Sequence, residues 1–279
     1  MGSVTNLPAT PAEVPTPLWR RLFAEFLGTG FLVAVIVGSG IAAQQLSPND
    51  VGIQLLENST ATVFGLAVLI LMLGPVSGAH FNPVVSLADW FLGRRSGTGL
   101  SLRDVGAYTI AQCAGAIGGA LLADAMFSVG VHLSTKHRAS GGHLLGEVVA
   151  PAGLVLLIFS LARTHRGALS APAVGAYIGA GYWFTSSTSV ANPAVTVGRM
   201  FSDTFAGIAP ASAPGFIGMQ LIGGAVAVAA LLILYPDAGR SADDVVIPHP
   251  HTHNNARPND DAVVATPPAT DPKPHTPTR

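Results

Sequence analysis

The chain has 279 residues, of which only 10% are Asp, Glu, Lys or Arg, and its formal net charge is −1. Soluble domains carry about 25% charged residues, so an ordinary soluble globule is excluded, and the lack of a basic patch argues against nucleic acid as a partner. The single cysteine, Cys113, excludes an intramolecular disulfide and a cysteine-based metal site.

Residues 1–18 are rich in Pro and Thr and lack the basic start of a signal peptide, so they are expected to be disordered. Six apolar spans follow. Leu22–Ala43 has Glu25 as its one charge, Thr60–His80 has none, and Val105–Phe127 has Asp124. Glu147–Leu161 has only Glu147, while Ser170–Ser189 and Ala211–Pro236 have none. Spans of about 20 such residues match a bilayer core of about 30 Å.

Two shorter stretches interrupt this series, SGAHFNPVV and STSVANPAV. They contain Asn82-Pro83-Val84 and Asn192-Pro193-Ala194. Asn is a favoured N-cap, and Pro fits the first helical position, where a missing N–H does no harm. Each pair starts about ten helical residues, roughly 15 Å or half the bilayer core. The expected fold is an all-α membrane protein: six transmembrane helices plus two re-entrant half-helices meeting at the midplane. That arrangement suggests a pore. The Asn oxygen would cap first-turn N–H groups and leave its amide NH2 to donate into the pore, which an ionised Asp could not do. Partial positive charge at the helix start would repel cations there.

The sequence also repeats itself. Ala24–Gly40 resembles Gly146–Ala162, with Glu second in each, and Ala111–Ala123 resembles Met219–Leu232, with Gln ahead of a small-residue run. An odd number of spans per half makes this an inverted repeat, about 19–130 and 143–236, within a channel-like unit at 19–236. Gly28, Gly38, Gly40, Gly115, Gly119, Gly175, Gly179 and Gly223 suit close helix contact in lipid. Glu25 and Glu147 admit two readings: a proton relay, or acceptors for the exposed backbone of the re-entrant loops. With both termini cytoplasmic, eight basic residues fall inside and three outside, the remainder lying in the tail. The tail 237–279 is Pro- and His-rich and expected to be disordered; alternating His249, His251 and His253 could hold a metal ion only loosely.

The paired motifs, six spans and repeated Glu resemble the aquaporin, or major intrinsic protein, family from about Arg20 to Pro236. The resemblance implies a right-handed helix bundle, a homotetramer in the cell membrane with one pore per subunit, and no cofactor. Asn82 and Asn192 match the pore asparagines. The carbonyls of Gly78, Ala79, His80, Thr188, Ser189 and Val190 would line the pore, and His80 would brace its loop. The second motif departs from the family pattern: where Arg usually follows, this chain has Val195, and Thr196 replaces the Asp of glycerol facilitators. Family spacing puts the other constriction positions at Thr62, Ala180 and Ser189, none aromatic. A wide constriction for small neutral solutes follows: water, glycerol and metalloid hydroxides such as arsenous acid. YWFTSSTSVANPAVTVGRMFSDTFAGI, with STKHR, resembles bacterial aquaglyceroporin-like channels associated with arsenite handling. Arg199 is expected either to place positive charge in the outer vestibule or to pair with Asp203 at the surface. A secondary transporter and a closed-pore structural protein remain alternatives. No nucleophile–base set or phosphate loop points to an enzyme.

Overall fold

The computed structural model describes residues 16–94 and 96–236. The expectations for residues 1–15, for Arg95, and for the tail from Asp237 with Arg240, His249, His251 and His253 fall outside the described residues.

Eight α-helices form without a strand among the described residues. α1 is Leu18–Leu46, α2 Val51–Ser77, α3 Pro83–Gly93 and α4 Leu102–Met126. α5 is Gly141–Arg163, α6 Ser170–Phe184, α7 Pro193–Gly198 and α8 Ala213–Leu234. α1, α2, α4, α5 and the stretch Pro210–Leu234 are each long and apolar enough to cross a bilayer. α6 has only 15 residues, about 22 Å, and the 3-10 turn Gly167–Leu169 before it adds about 6 Å. Together they just reach the thickness of the hydrocarbon core.

Local chemistry moves several boundaries away from the hydropathy pattern. α2 starts at Val51 rather than near Thr60, because Asp50 caps it by accepting from the Ile53 N–H at 3.0 Å. Against α1, Asn58 Nδ2 donates to the Ile36 carbonyl and to Ser39 Oγ, each at 2.8 Å. α6 stops at Phe184 rather than Ser189, since Thr185 turns extended and its hydroxyl caps the Gly181 carbonyl at 2.7 Å. The chain then turns inward towards Asn192. The second half-helix is shorter than its sequence suggests, six α-helical residues followed by the 3-10 turn Arg199–Phe201. Gly198 lies where a Cβ would meet the Ala116 carbonyl oxygen at 2.6 Å, so this turn is pressed against α4.

Packing follows the repeat. α1 lies along α4, α5 lies along α8, and α2 packs on α6. A Cβ on Gly119 would run into the Gly30 carbonyl, and one on Gly223 into the Val148 carbonyl. Glycine there allows the backbones to touch, which is how helices associate where lipid offers no hydrophobic drive. The polarity of the protein is inverted relative to a soluble one. Glu25, Gln112, Glu147 and Gln220 are wholly buried, while Phe23, Phe64, Leu71, Ile110 and Ile233 lie exposed on the outside. Apolar surface of that extent is a face for lipid or for neighbouring copies.

Candidate functional site: a passage between two capped half-helices

α3 and α7 start opposite each other inside the bundle. Asn82 Oδ1 accepts from the Val84 N–H at 2.9 Å; Asn192 Oδ1 accepts from Ala194 at 2.9 Å and Val195 at 3.2 Å. The amide nitrogens cross over. Asn82 Nδ2 donates to the Ala191 carbonyl at 2.8 Å, and Asn192 Nδ2 to the Phe81 carbonyl at 2.7 Å. Each NH2 has two hydrogens, so one fixes the opposite loop and one remains for whatever fills the passage. Pro83 and Pro193 occupy the first helical positions, and Val84 and Ala194 are buried behind them.

The loops ahead of the asparagines carry unusual backbone. Ala79, Phe81, Ser189 and Ala191 all have φ between 48° and 55°. A non-glycine residue in the left-handed region costs about 1–2 kcal/mol, so something must hold these loops. The two buried glutamates do so. Glu25 accepts from the N–H groups of His80 at 3.0 Å and Phe81 at 2.7 Å, from Ser77 Oγ at 2.7 Å and from Gln112 Nε2 at 2.7 Å. Glu147 accepts from Val190 at 3.0 Å, Ala191 at 2.9 Å and Gln220 Nε2 at 2.6 Å. Successive N–H groups gathered on one anion make a nest. With those N–H groups drawn to the glutamates, Ala79, His80, Phe81, Ser189, Val190 and Ala191 line the passage on the other side.

Behind each glutamate the same relay repeats. Gln112 Nε2 also donates to Ser86 Oγ at 3.3 Å, and Gln220 Nε2 to Thr196 Oγ1 at 3.0 Å. Ser86 and Thr196 in turn donate to the carbonyls of Asn82 and Asn192, four residues earlier. His80 places Nδ1 3.0 Å from Ser86 Oγ and its ring 5.5 Å from that of Tyr108, while lining the passage itself.

The space along this passage amounts to about 650 Å³ of atom-free volume, open solvent included. Its walls away from the loops are apolar: Leu32, Ile36, Leu66, Ile70, Leu154 and Ile158 among others. Thr62, Tyr182, Ser189, Val195 and Arg199 also line it, with the Thr62 hydroxyl 3.1 Å from the Tyr182 phenol. Three corrections to the sequence expectations arise here. Ala180 is exposed on the outer side of α6, and Tyr182, two residues on, takes the inward position, because helical rotation carries position 180 away from the passage. The lining therefore includes an aromatic residue here. Position 195 is Val, yet a guanidinium reaches the same space from Arg199. Arg199 is only 4% exposed and forms no ion pair with Asp203. Its Nε donates to the Ala206 carbonyl, and Asp203 instead accepts from the Thr135 N–H at 2.9 Å and the Thr135 hydroxyl at 3.1 Å. Those bonds hold the exposed Asp203 carboxyl below its ordinary value.

A family model described as Major intrinsic protein matches residues 13–191. The chain belongs to the major intrinsic protein family. Aquaglyceroporin AqpS of Rhizobium meliloti (strain 1021) is 49% identical over 213 residues, covering 76% of this chain and 88% of that protein. Aquaporin Z of Brucella melitensis is 32% identical over 209 residues, 67% of this chain and 86% of that one. Of Aquaporin-5 from Ovis aries the match spans about half, 54% of its length at 30% identity. The X-ray structure of the aquaglyceroporin from Plasmodium falciparum aligns with a TM-score of 0.55 over 80% of this chain and 99% of that one, at 20% identity, and shows the fold alone. This major intrinsic protein is a multi-pass membrane channel and not an enzyme.

Sequence reasoning had no role for Tyr182, Arg138, Ser86, or the Gln112 and Gln220 side chains. The paired Gln residues are marked in the sequence by their recurrence at matching places in both halves. Tyr182 and Arg138 carry no such signal; helical register and loop folding bring them to the site.

Proposed function

We propose that this channel passes small neutral solutes passively: water, glycerol and metalloid hydroxides such as arsenous acid. The observation that carries this reading is the asparagine pair. Each amide is locked at both ends, to its own helix and to the opposite loop, and keeps one hydrogen for a solute oxygen. A neutral hydroxylated solute fits a passage with one polar strip and otherwise apolar walls, because it can hydrogen-bond along the strip while its carbon or metalloid side faces Leu and Ile. Val195 supplies little bulk at the narrow end, which favours solutes larger than water. The name of the Rhizobium relative, an aquaglyceroporin, supports glycerol as one of them.

Orientation and assembly belong to the same proposal. The excess of Arg at the loops after α3 and α5 supports both termini lying in the cytoplasm, with the Arg199 end then opening outward. The exposed apolar faces are suited to a homotetramer in the cell membrane. Stopped-flow light scattering on proteoliposomes, with water, glycerol and arsenous acid in turn, tests the substrate range. Fluxes equal to those of empty liposomes for all three solutes would overturn it.

A further inference from the structure

The loop after α7 grips two arginines. Phe205 and Gly207 carbonyls accept from Arg138 Nη2 and Nε, each at 2.8 Å, and the Ala206 carbonyl between them accepts from Arg199 Nε. The loop is fixed in turn. The Ile208 N–H donates to the Arg199 carbonyl at 3.0 Å, and the Phe205 N–H to Gln44 Oε1 at 2.8 Å. Arg138 belongs to the connection between α4 and α5, which is tied to the same loop by the Ala209 N–H donating to the Lys136 carbonyl at 2.8 Å. Burial and the nearness of Arg199 push the Arg138 guanidinium down to about 10. Two cations thus stand close together on one loop.

Arg199 is the more deeply placed of the two. Guanidinium has five N–H donors, and only Nε of Arg199 has a protein acceptor among the described residues. Four donors on a side chain 4% exposed are left at the wall of the passage. A buried guanidinium is costly unless acceptors reach it, and the passage that Arg199 lines can supply them. Tyr182 lines the same passage and offers a matching acceptor. The Thr62 hydroxyl spends its one hydrogen on the Asn58 carbonyl at 2.8 Å, so in the 3.1 Å contact with Tyr182 the phenol must donate. The Tyr182 oxygen then keeps its lone pairs for the passage.

We infer that Arg199 and Tyr182 form the selecting ring of this passage, with the charge that position 195 lacks supplied from one turn further along the chain. Arg199 excludes cations and donates to solute oxygens, Tyr182 accepts a solute hydroxyl, and Val195 keeps the ring wide. The arrangement separates two properties that one arginine at position 195 would combine: charge at the mouth and narrowness. This inference rests on the channel reading above.

The test uses the full chain in proteoliposomes, reading glycerol flux by light scattering and potassium leak by an ion-selective electrode. Arg199→Gln is expected to raise potassium leak about tenfold or more and to lower glycerol flux, since guanidinium donors to the solute are lost. Moving the charge back, in the Val195→Arg/Arg199→Gln double variant, is expected to restore potassium exclusion and cut glycerol flux about tenfold or more. Val195→Arg alone reads the idea independently of whether Arg199→Gln assembles. With Arg199 already excluding cations, it should narrow the pore to glycerol and leave potassium leak unchanged. A tenfold drop in potassium leak in Val195→Arg would overturn the inference, as would a tight Arg199→Gln channel with normal glycerol flux. Glycerol and water flux through the unsubstituted protein judge the channel reading, and potassium leak across the series judges Arg199, so either can fail alone.

Discussion

Replacing Glu147 by Gln changes the charge and one donor–acceptor role but almost no volume. Glu147 Oε2 accepts two hydrogens, from Ala191 and Gln220, and Oε1 accepts one, from Val190. The best placement of a Gln keeps its oxygen on the first two and turns its NH2 towards the Val190 N–H. One bond to a charged acceptor is lost, worth about 1.5–3 kcal/mol, and a buried N–H is left unsatisfied at about 1–3 kcal/mol. The two overlap, so a net loss of about 2–4 kcal/mol is expected. The loop it holds includes Ser189 and Ala191 at φ 52° and 55°, and each stores about 1–2 kcal/mol that relaxation would release. Relaxation would withdraw the Ala191 carbonyl from Asn82 and shift Asn192. Thermal unfolding in detergent should therefore drop by roughly 5–15 °C, at about 2–4 °C per kcal/mol for a chain of this size, and glycerol flux should fall about tenfold. Glu25→Gln should cost at least as much, because Glu25 accepts four hydrogens. If Glu147→Gln unfolds at the unsubstituted temperature and conducts within twofold, the carboxylate does not hold the loop and the proton-relay reading regains its place.

Asn192→Asp keeps the cap but faces the Phe81 carbonyl, 2.7 Å away, with a second acceptor. Neutral-solute flux should fall and cation leak rise, and unchanged values for both would remove Asn192 from the solute path. Gly119→Leu drives a side chain into the Gly30 carbonyl where α1 meets α4. Loss of the folded peak in size-exclusion chromatography is expected, whereas Gly118→Leu, where a Cβ meets nothing, should elute normally. The Asp203 carboxyl is held below its ordinary value by Thr135, so its stabilisation is complete above the unfolded value of about 3.9 and is lost as pH falls through the lower folded one. Asp203→Asn should flatten the decline of unfolding temperature between about pH 4 and pH 2; an unaltered slope would show that the Thr135 contact adds nothing.

Much of the path from sequence to site is short-range and therefore legible in one dimension. Asn followed by Pro sets a cap and a first turn within three residues, so the starts of α3 and α7 could be placed at Asn82 and Asn192. Long apolar runs specify membrane helices because the bilayer, not the protein, imposes the length. A glutamate inside such a run requires an internal partner, and its recurrence at positions 25 and 147 pointed to paired loops. The ends of elements were less legible, since they depend on single polar contacts such as Asp50 with Ile53 or Thr185 with Gly181.

Only the tertiary structure decided what faces the narrow end of the passage. Counting along the chain put Ala180 there, but an error of two residues turns a helix by about 200°, enough to exchange an exposed alanine for the buried phenol of Tyr182. For Arg199 the sequence leaves two readings open, charge in the outer vestibule or a surface pair with Asp203 four positions on, a spacing that pairs charges along an α-helix. The helix gives way to a 3-10 turn after Gly198, so that spacing no longer brings the two together. The carbonyls of Phe205, Ala206 and Gly207 turn back over the mouth and hold Arg199 and Arg138 from opposite parts of the chain. The identities of caps, spans and repeats are local properties that a sequence carries by itself. The direction in which a buried side chain points is settled by packing between distant segments, which here places a guanidinium in the passage although position 195 is Val.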